Sequence, residues 1–179
     1  MTNPSLEKLD GIVASEVIDA MLRASEALRA HNIAHVLIGG LAVGAHGYVR
    51  TTSDVDFLVT DTAFIKNASG FVLLRVPIIS IGKVKVDMLA FEATDADTPA
   101  FEREVLKRYK DSEYLQVVSM PTLVHLKLKA NRQKDIADLI ELLKIGSIDI
   151  EQIQEYLDNT APRLSDKWKC VVRQARIEE

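Results

Sequence analysis

The chain has 179 residues, 47% hydrophobic and 27% charged, which suits one folded domain, or one domain with a small appendage, and argues against disorder. Its 22 Lys and Arg against 26 Asp and Glu leave a net charge of -4, which excludes a strong global attraction to nucleic acid or to an anionic membrane. The single cysteine, Cys170, excludes an internal disulfide framework and a cysteine-based zinc cluster, and reads as a small packing residue. No apolar run approaches the ~20 residues needed to span a bilayer. The N-terminus lacks the basic start and apolar core of a signal peptide, so a soluble, cytoplasmic setting without a membrane partner is expected.

In chain order, residues 15–31 read as an amphipathic helix, with Val17, Met21, Ala24 and Leu28 on one stripe and Ser15 as its N-cap. Residues 34–38 form a short apolar run that ends at Gly39-Gly40 and reads as a buried strand. Residues 41–46 follow as one or two helical turns. Residues 54–60 alternate as a second strand, with Val55, Phe57 and Val59 on one side and Asp54, Asp56 and Leu58 on the other. Residues 71–74 and 77–81 are weaker strand candidates. Residues 83–89 are a clear strand, in which Val84, Val86 and Met88 alternate with Lys83, Lys85 and Asp87. An acidic loop (92–97), a helix (99–109) and a last short strand (115–118) come next. From residue 121 onward the pattern is helical, over 121–131, 133–145, 149–157 and 164–175. Strands before residue 120 and helices after it predict an α/β (α+β) core, residues 1–120, with a helical region, residues 121–179, packed on it.

The region from residue 36 to residue 59 concentrates the chemistry. A strand runs into Gly39-Gly40 and a helix starts at once, so glycine permits close backbone approach and free N–H groups face an anion such as a triphosphate. Many α/β turns carry such a pair for steric reasons alone. Asp54 and Asp56, two apart on a strand, project from one face, ~7 Å apart along the chain. Carboxylates so placed repel, and a shared hard divalent cation, Mg²⁺ or Mn²⁺, relieves the repulsion. The alternative is a solvated strand end. Asp87 adds a third carboxylate if its strand neighbours the first; otherwise it pairs with Lys83 or Lys85 at the surface.

These elements together resemble the DNA polymerase beta-like nucleotidyltransferase superfamily. The matching residues are Ile38-Gly39-Gly40, a gap of thirteen residues, Asp54-Val55-Asp56-Phe57, and later Val86-Asp87-Met88. The stretch Gly39-Gly40-x-Ala42, His46-Gly47, Arg50-x-Thr52-x-Asp54-x-Asp56 resembles the small stand-alone abortive-infection nucleotidyltransferase toxins. Lys127-Leu-Lys-Ala130-Asn-Arg132-Gln-Lys-Asp135-Ile-Ala-Asp138 is similar to their Lys-x-x-Ala and Arg-x-Lys-Asp-x-x-Asp helical motifs. Position 40 is Gly where many members have Ser, so only backbone N–H groups are offered there.

The resemblance implies a polymerase beta-like fold, a small mixed sheet with helices and a C-terminal helical portion. It implies metal-dependent transfer of a nucleoside monophosphate from an NTP to a hydroxyl of tRNA, a protein or a small molecule. Asp54, Asp56 and Asp87 would be the catalytic and metal-binding residues. Gly39, Gly40, Arg50, Thr52, Ser53 and Lys127 would bind the nucleotide. A toxin–antitoxin role is implied, and the alternative is a degenerate, non-catalytic binding module of the same fold. Local readings stay open beside these. Arg50 touches phosphate or salt-bridges an acid. Ser53 makes a turn hydrogen bond. Lys127, Asn131, Lys134 and Asp138 share a face if the helix is continuous; the alternative to Lys127 as a nucleotide cation is a Lys134–Asp138 surface pair with Lys127 free in solvent. Asp135 and Asp138 are helix-positioning or salt-bridge residues rather than ligands. His35 is a strand-edge residue, and Trp168 and Tyr156 are packing anchors.

Overall fold

The computed structural model describes residues 4–60, 64–66, 72–74, 80–90 and 95–177. Among them are seven α-helices and six β-strands. After a 3-10 turn (Leu6–Leu9) the elements are α1 (Ser15–Ala30), β1 (His35–Ile38), α2 (Gly39–Ala45), β2 (Asp54–Val59), β3 (Phe64–Lys66), β4 (Val72–Leu74), β5 (Ser80–Ile81) and β6 (Val84–Leu89). Then come α3 (Thr98–Asp111), α4 (Met120–Ala130), α5 (Gln133–Lys144), α6 (Ile150–Thr160) and α7 (Ser165–Ile177). The class is α/β. No helix among the described residues is long and apolar enough to cross a membrane.

Four strands form a mixed sheet in the order β1-β2-β6-β5; β2 runs parallel to β6, and the other pairs are antiparallel. β3 and β4 pair separately, and β3 answers to no strand read in the sequence. Parts of the expected strands 71–74 and 77–81 and of the loop 92–97 lie outside the described residues. The expected strand 115–118 is reduced to one parallel bridge, Leu37 to Val117, with the backbone N–H of Val118 donating to Leu37.

Period-2 alternation decides which sheet face is dry. Val55 and Phe57 lie on one face and are fully buried, and the His35 ring of β1 stands edge-on to Phe57. α1 and α3 cover this face. Ser25 of α1 bonds His35 Nε2 at 2.8 Å, and Tyr109 of α3 packs beside the same ring. His35 is therefore a buried core residue rather than a strand-edge one, and burial holds its pKa below the ordinary histidine value. His46 is likewise buried and bonds the Val118 carbonyl at 2.8 Å through Nε2.

Val17, Met21, Ala24 and Leu28 are buried as their spacing predicts. Ser15 is the first helical residue, with Ala14 at the N-cap, so its hydroxyl caps nothing. Trp168 is wholly buried among the last helices, whereas Cys170 is exposed, on the solvent side of α7. A buried ionic knot ties α3 to the helical half. Asp97 accepts from Lys129 of α4 at 2.7 Å and from Arg163, and its other carboxylate oxygen lies 3.3 Å from His125 Nε2.

The α4–α5 junction matters most for the site. Asn131 takes the left-handed conformation (φ 54°), ends α4, and lets α5 start within two residues in a new direction. The two are separate helices, not one continuous face. The second face of the sheet, carrying Ile38, Asp54, Asp56 and Asp87, looks toward α4 and the start of α5 across an open cleft.

Candidate active site

The β2–β6 register sets the geometry. Asp56 stands opposite Asp87, and Asp54 opposite Lys85. Residues paired across a sheet share a face, as do residues two apart on a strand. Four side chains therefore form a block: Asp54 and Asp56 on β2, Lys85 and Asp87 on β6. On the other side of β2, Ile38 pairs with Asp56, and the chain turns at Gly39 immediately afterwards.

That turn explains both glycines. Gly39 has φ +69°, and a β-carbon there would lie 1.9 Å from Asp56 Oδ2. Its backbone thus leans directly on the carboxylate. A β-carbon at Gly40 would sit 3.0 Å from Thr52 Oγ1 and 3.4 Å from Arg50 Nη2. The glycine pair closes against the second carboxylate on one side and the loop before Asp54 on the other.

Each acid meets a different environment. Burial raises the pKa of Asp56, and the charges of Asp54 and Asp87 raise it further, with Lys134 and Arg132 opposing them. Asp54 Oδ1 accepts from Thr52 Oγ1 at 3.3 Å, from Ser53 Oγ at 3.2 Å and from the Ser53 N–H at 3.3 Å. Asp87 Oδ2 accepts from Lys85 Nζ at 2.7 Å. Three carboxylates on one face are a donor set of hard oxygens that suits Mg²⁺ or Mn²⁺. Among the described residues, however, no three such groups already converge on one point. Asp54 and Asp87 instead each have local partners, the Thr52 and Ser53 hydroxyls for the first and the Lys85 ammonium for the second. The surface pairing of Asp87 with Lys85, one of the two readings open from the sequence, is observed.

Two hollows flank the block and share Asp56. One, of about 500 Å³, is lined by Gly39, Asp87 and Lys127 and has an apolar wall of Met88, Leu123 and Leu126. The other, of about 350 Å³, is polar and is lined by Gly40, Arg50, Thr52, Ser53, Asp54 and Lys134. A slightly larger hollow, about 530 Å³, borders Thr51, Thr52 and residues 10–15, and none of the three acids lines it.

Arg50 and Lys127, both read as nucleotide-binding candidates, spend their charge on neighbours. Arg50 forks onto Asp138, and Lys127 Nζ donates to Asp138 Oδ2 at 2.7 Å and to Asp135 Oδ1 at 3.1 Å. Arg132 Nε completes the chain on Asp135 Oδ2 at 2.6 Å. Burial pushes both carboxyls up, but their cations outweigh it: Arg132 and Lys127 hold Asp135 below the usual carboxylate value, and Arg50 and Lys127 do so for Asp138.

Lys127 is only 5% exposed, which overturns the alternative of a lysine free in solvent. The residues with cationic heads at the cleft mouth are instead Arg132 and Lys134, both exposed. Their signal lay in the Arg132-x-Lys134-Asp135 string, where position relative to the helix break, not residue type, separates mouth from floor. Asp135 and Asp138 are salt-bridge residues, one of the two roles read for them.

No family model matches the chain, and none of the curated proteins compared with it is similar. Among solved structures the chain is similar to an antigenic nucleotidyltransferase-like protein from Paracoccidioides brasiliensis. The identity is 16% and the TM-score 0.47, over 88% of this chain and 94% of that one.

Proposed function

We propose that the protein is a metal-dependent nucleotidyltransferase that moves a nucleoside monophosphate from an NTP to a hydroxyl and releases pyrophosphate. The observation that carries this reading is the common face of Asp54, Asp56 and Asp87, with the Gly39 turn packed directly against Asp56. Asp54, Asp56 and Asp87 would hold Mg²⁺ or Mn²⁺, which supplies Lewis-acid stabilisation of the phosphoryl charge.

The chain's own residues do the rest. The backbone at Gly40, with Thr52 and Ser53, lines the polar hollow, Gly39 borders the neighbouring one, and together they bind the phosphates. Lys134 and Arg132 neutralise them from the cleft mouth. Arg50 and Lys127 act one step back, fixing the loop and α5 through Asp138. Asp87, at the edge of the apolar hollow, takes the proton of the acceptor hydroxyl. That oxygen attacks the α-phosphorus, the new P–O bond forms, and the α–β anhydride bond breaks with pyrophosphate as leaving group.

The acceptor is a hydroxyl of tRNA, a protein or a small molecule. The resemblance to abortive-infection toxins extends the proposal to a toxin–antitoxin role in the cytoplasm. The test is incubation of the purified protein with Mg²⁺ and each α-labelled NTP, alone, with total tRNA and with cell lysate. Label transfer is expected in wild type and lost in Asp54→Asn/Asp56→Asn. No transfer to any acceptor, together with an Mg²⁺·NTP thermal shift undiminished in the double variant, would establish the non-catalytic alternative.

A further inference from the structure

The geometry points to Lys85 as a built-in cation of the carboxylate block, one that holds Asp87 in competition with the divalent ion and so sets the affinity of the site for metal. The inference rests on the metal-dependent reading above and deepens it.

Lys85 fills the fourth corner of the block. It is paired in register with Asp54, lies two residues before Asp87 on the same strand, and therefore shares the face of all three acids. Its Nζ lies 2.7 Å from Asp87 Oδ2. The side chain is 69% exposed, so this contact does little for the fold. Its effect falls on the site, where one carboxylate of the hard-oxygen set faces an ammonium rather than its two fellow acids. A cation that takes Asp87 Oδ2 displaces the Lys85 ammonium, which a flexible four-carbon stem at the surface allows, and a cation taken on Oδ1 still meets its charge.

The test is Mn²⁺ binding without nucleotide, followed by the electron paramagnetic resonance signal of the free ion. Wild type is compared with Lys85→Met, which keeps the stem and removes the charge. Lys134→Met is the control, a nearby exposed cation that no triad carboxylate binds directly. Lys85→Met is expected to bind Mn²⁺ about tenfold more tightly than wild type, the order of one opposing charge removed at contact distance. Lys134→Met is expected to gain about twofold or less, as a screened surface charge does. Asp54→Asn/Asp56→Asn should abolish binding with or without Lys85.

Equal gains in the two lysine variants would overturn the inference in favour of a general field. Asp-dependent Mn²⁺ binding that is the same in wild type and Lys85→Met would overturn it while leaving the metal site intact. No Mn²⁺ binding in either would overturn both. A Lys85→Met variant with unchanged Mn²⁺ affinity but weakened NTP binding would make Lys85 a phosphate ligand instead.

Discussion

Arg50 donates two parallel hydrogen bonds to Asp138, 2.7 Å from Nε to Oδ1 and 2.9 Å from Nη2 to Oδ2. The fork joins the loop that precedes Asp54 to the second turn of α5, 88 residues later. Because Asp138 also receives Lys127, it is the point through which both halves of the cleft are held in place. Removing one partner of a nearly buried pair leaves the other without its counter-charge. Asp138→Asn is therefore expected to cost about 3 kcal/mol in urea denaturation. Arg50→Ala should cost somewhat less, because its head is partly solvated. The double variant should lose clearly less than the sum. Strict additivity would mean that the fork contributes nothing of its own.

The glycines separate in the same way. Gly39→Ala places a β-carbon against the Asp56 carboxylate in a left-handed backbone conformation. Both faults act together, so a loss of at least about 2 kcal/mol is expected, together with loss of the Mg²⁺·NTP thermal shift. At Gly40 the nearest neighbours are the Thr52 hydroxyl at 3.0 Å and its β-carbon at 3.3 Å, a milder crowding without a left-handed backbone, so Gly40→Ala should cost less, about 1 kcal/mol. Thermal melts of the two variants check the order, and the reverse order would contradict the packing of the turn on Asp56.

Strand parity made the acidic face legible. Asp54 and Asp56 alternate with Val55 and Phe57, and Asp87 alternates with Val86 and Met88, so period 2 alone puts each acid off the dry face. Parity does not say which strands are neighbours, and the Asp56–Asp87 pairing appears only in the parallel β2–β6 register. Lys127 shows where local reasoning stops. A helical wheel treats residues 127–138 as one face, but the left-handed Asn131 turns the chain, and α5 folds Asp135 and Asp138 back onto the Lys127 ammonium. His35 fails for a related reason. Its place next to a turn suggests an edge, and only the packing of α1 and α3 over β1 buries it.

Asp56 and Asp138 are expected to respond to pH with opposite signs. The folded pKa of Asp56 lies above its ordinary value of 3.8. Its stabilising contribution is therefore present below that value and is lost as pH rises through the folded pKa. Asp56→Asn should raise Tm at neutral pH, and the gain should vanish in acid. The folded pKa of Asp138 lies below 3.8, so its contribution is present above that value and is lost as pH falls through the folded pKa. The penalty of Asp138→Asn should accordingly shrink in acid. Melting curves of both variants and wild type from about pH 3 to about pH 8 check the crossing. Parallel curves would show that neither carboxyl is shifted by its neighbours. Added Mg²⁺ should reduce the neutral-pH gain of Asp56→Asn by stabilising wild type, because a bound cation offsets the repulsion that Asn removes.

Three lysines on or near α4 separate structure from ligand binding. Lys134 is exposed at the cleft mouth beside Asp54 and Asp56, and on the proposed reading it meets the triphosphate. Lys134→Ala should weaken Mg²⁺·NTP binding by about tenfold, the value of one charge-assisted contact, while leaving Tm within about a degree of wild type. Lys127 is buried between Asp135 and Asp138, so Lys127→Met leaves two buried carboxylates with one cation each, Arg132 and Arg50. A stability loss of about 3 kcal/mol is expected. NTP affinity, measured by calorimetry well below the melting point, should fall less than in Lys134→Ala. Lys129 faces Asp95 and Asp97, away from the acidic block. Lys129→Ala should leave NTP affinity unchanged. If Lys127→Met instead kept full stability and lost as much affinity as Lys134→Ala, Lys127 would be the phosphate cation, and its bonds to Asp135 and Asp138 would give way to the nucleotide.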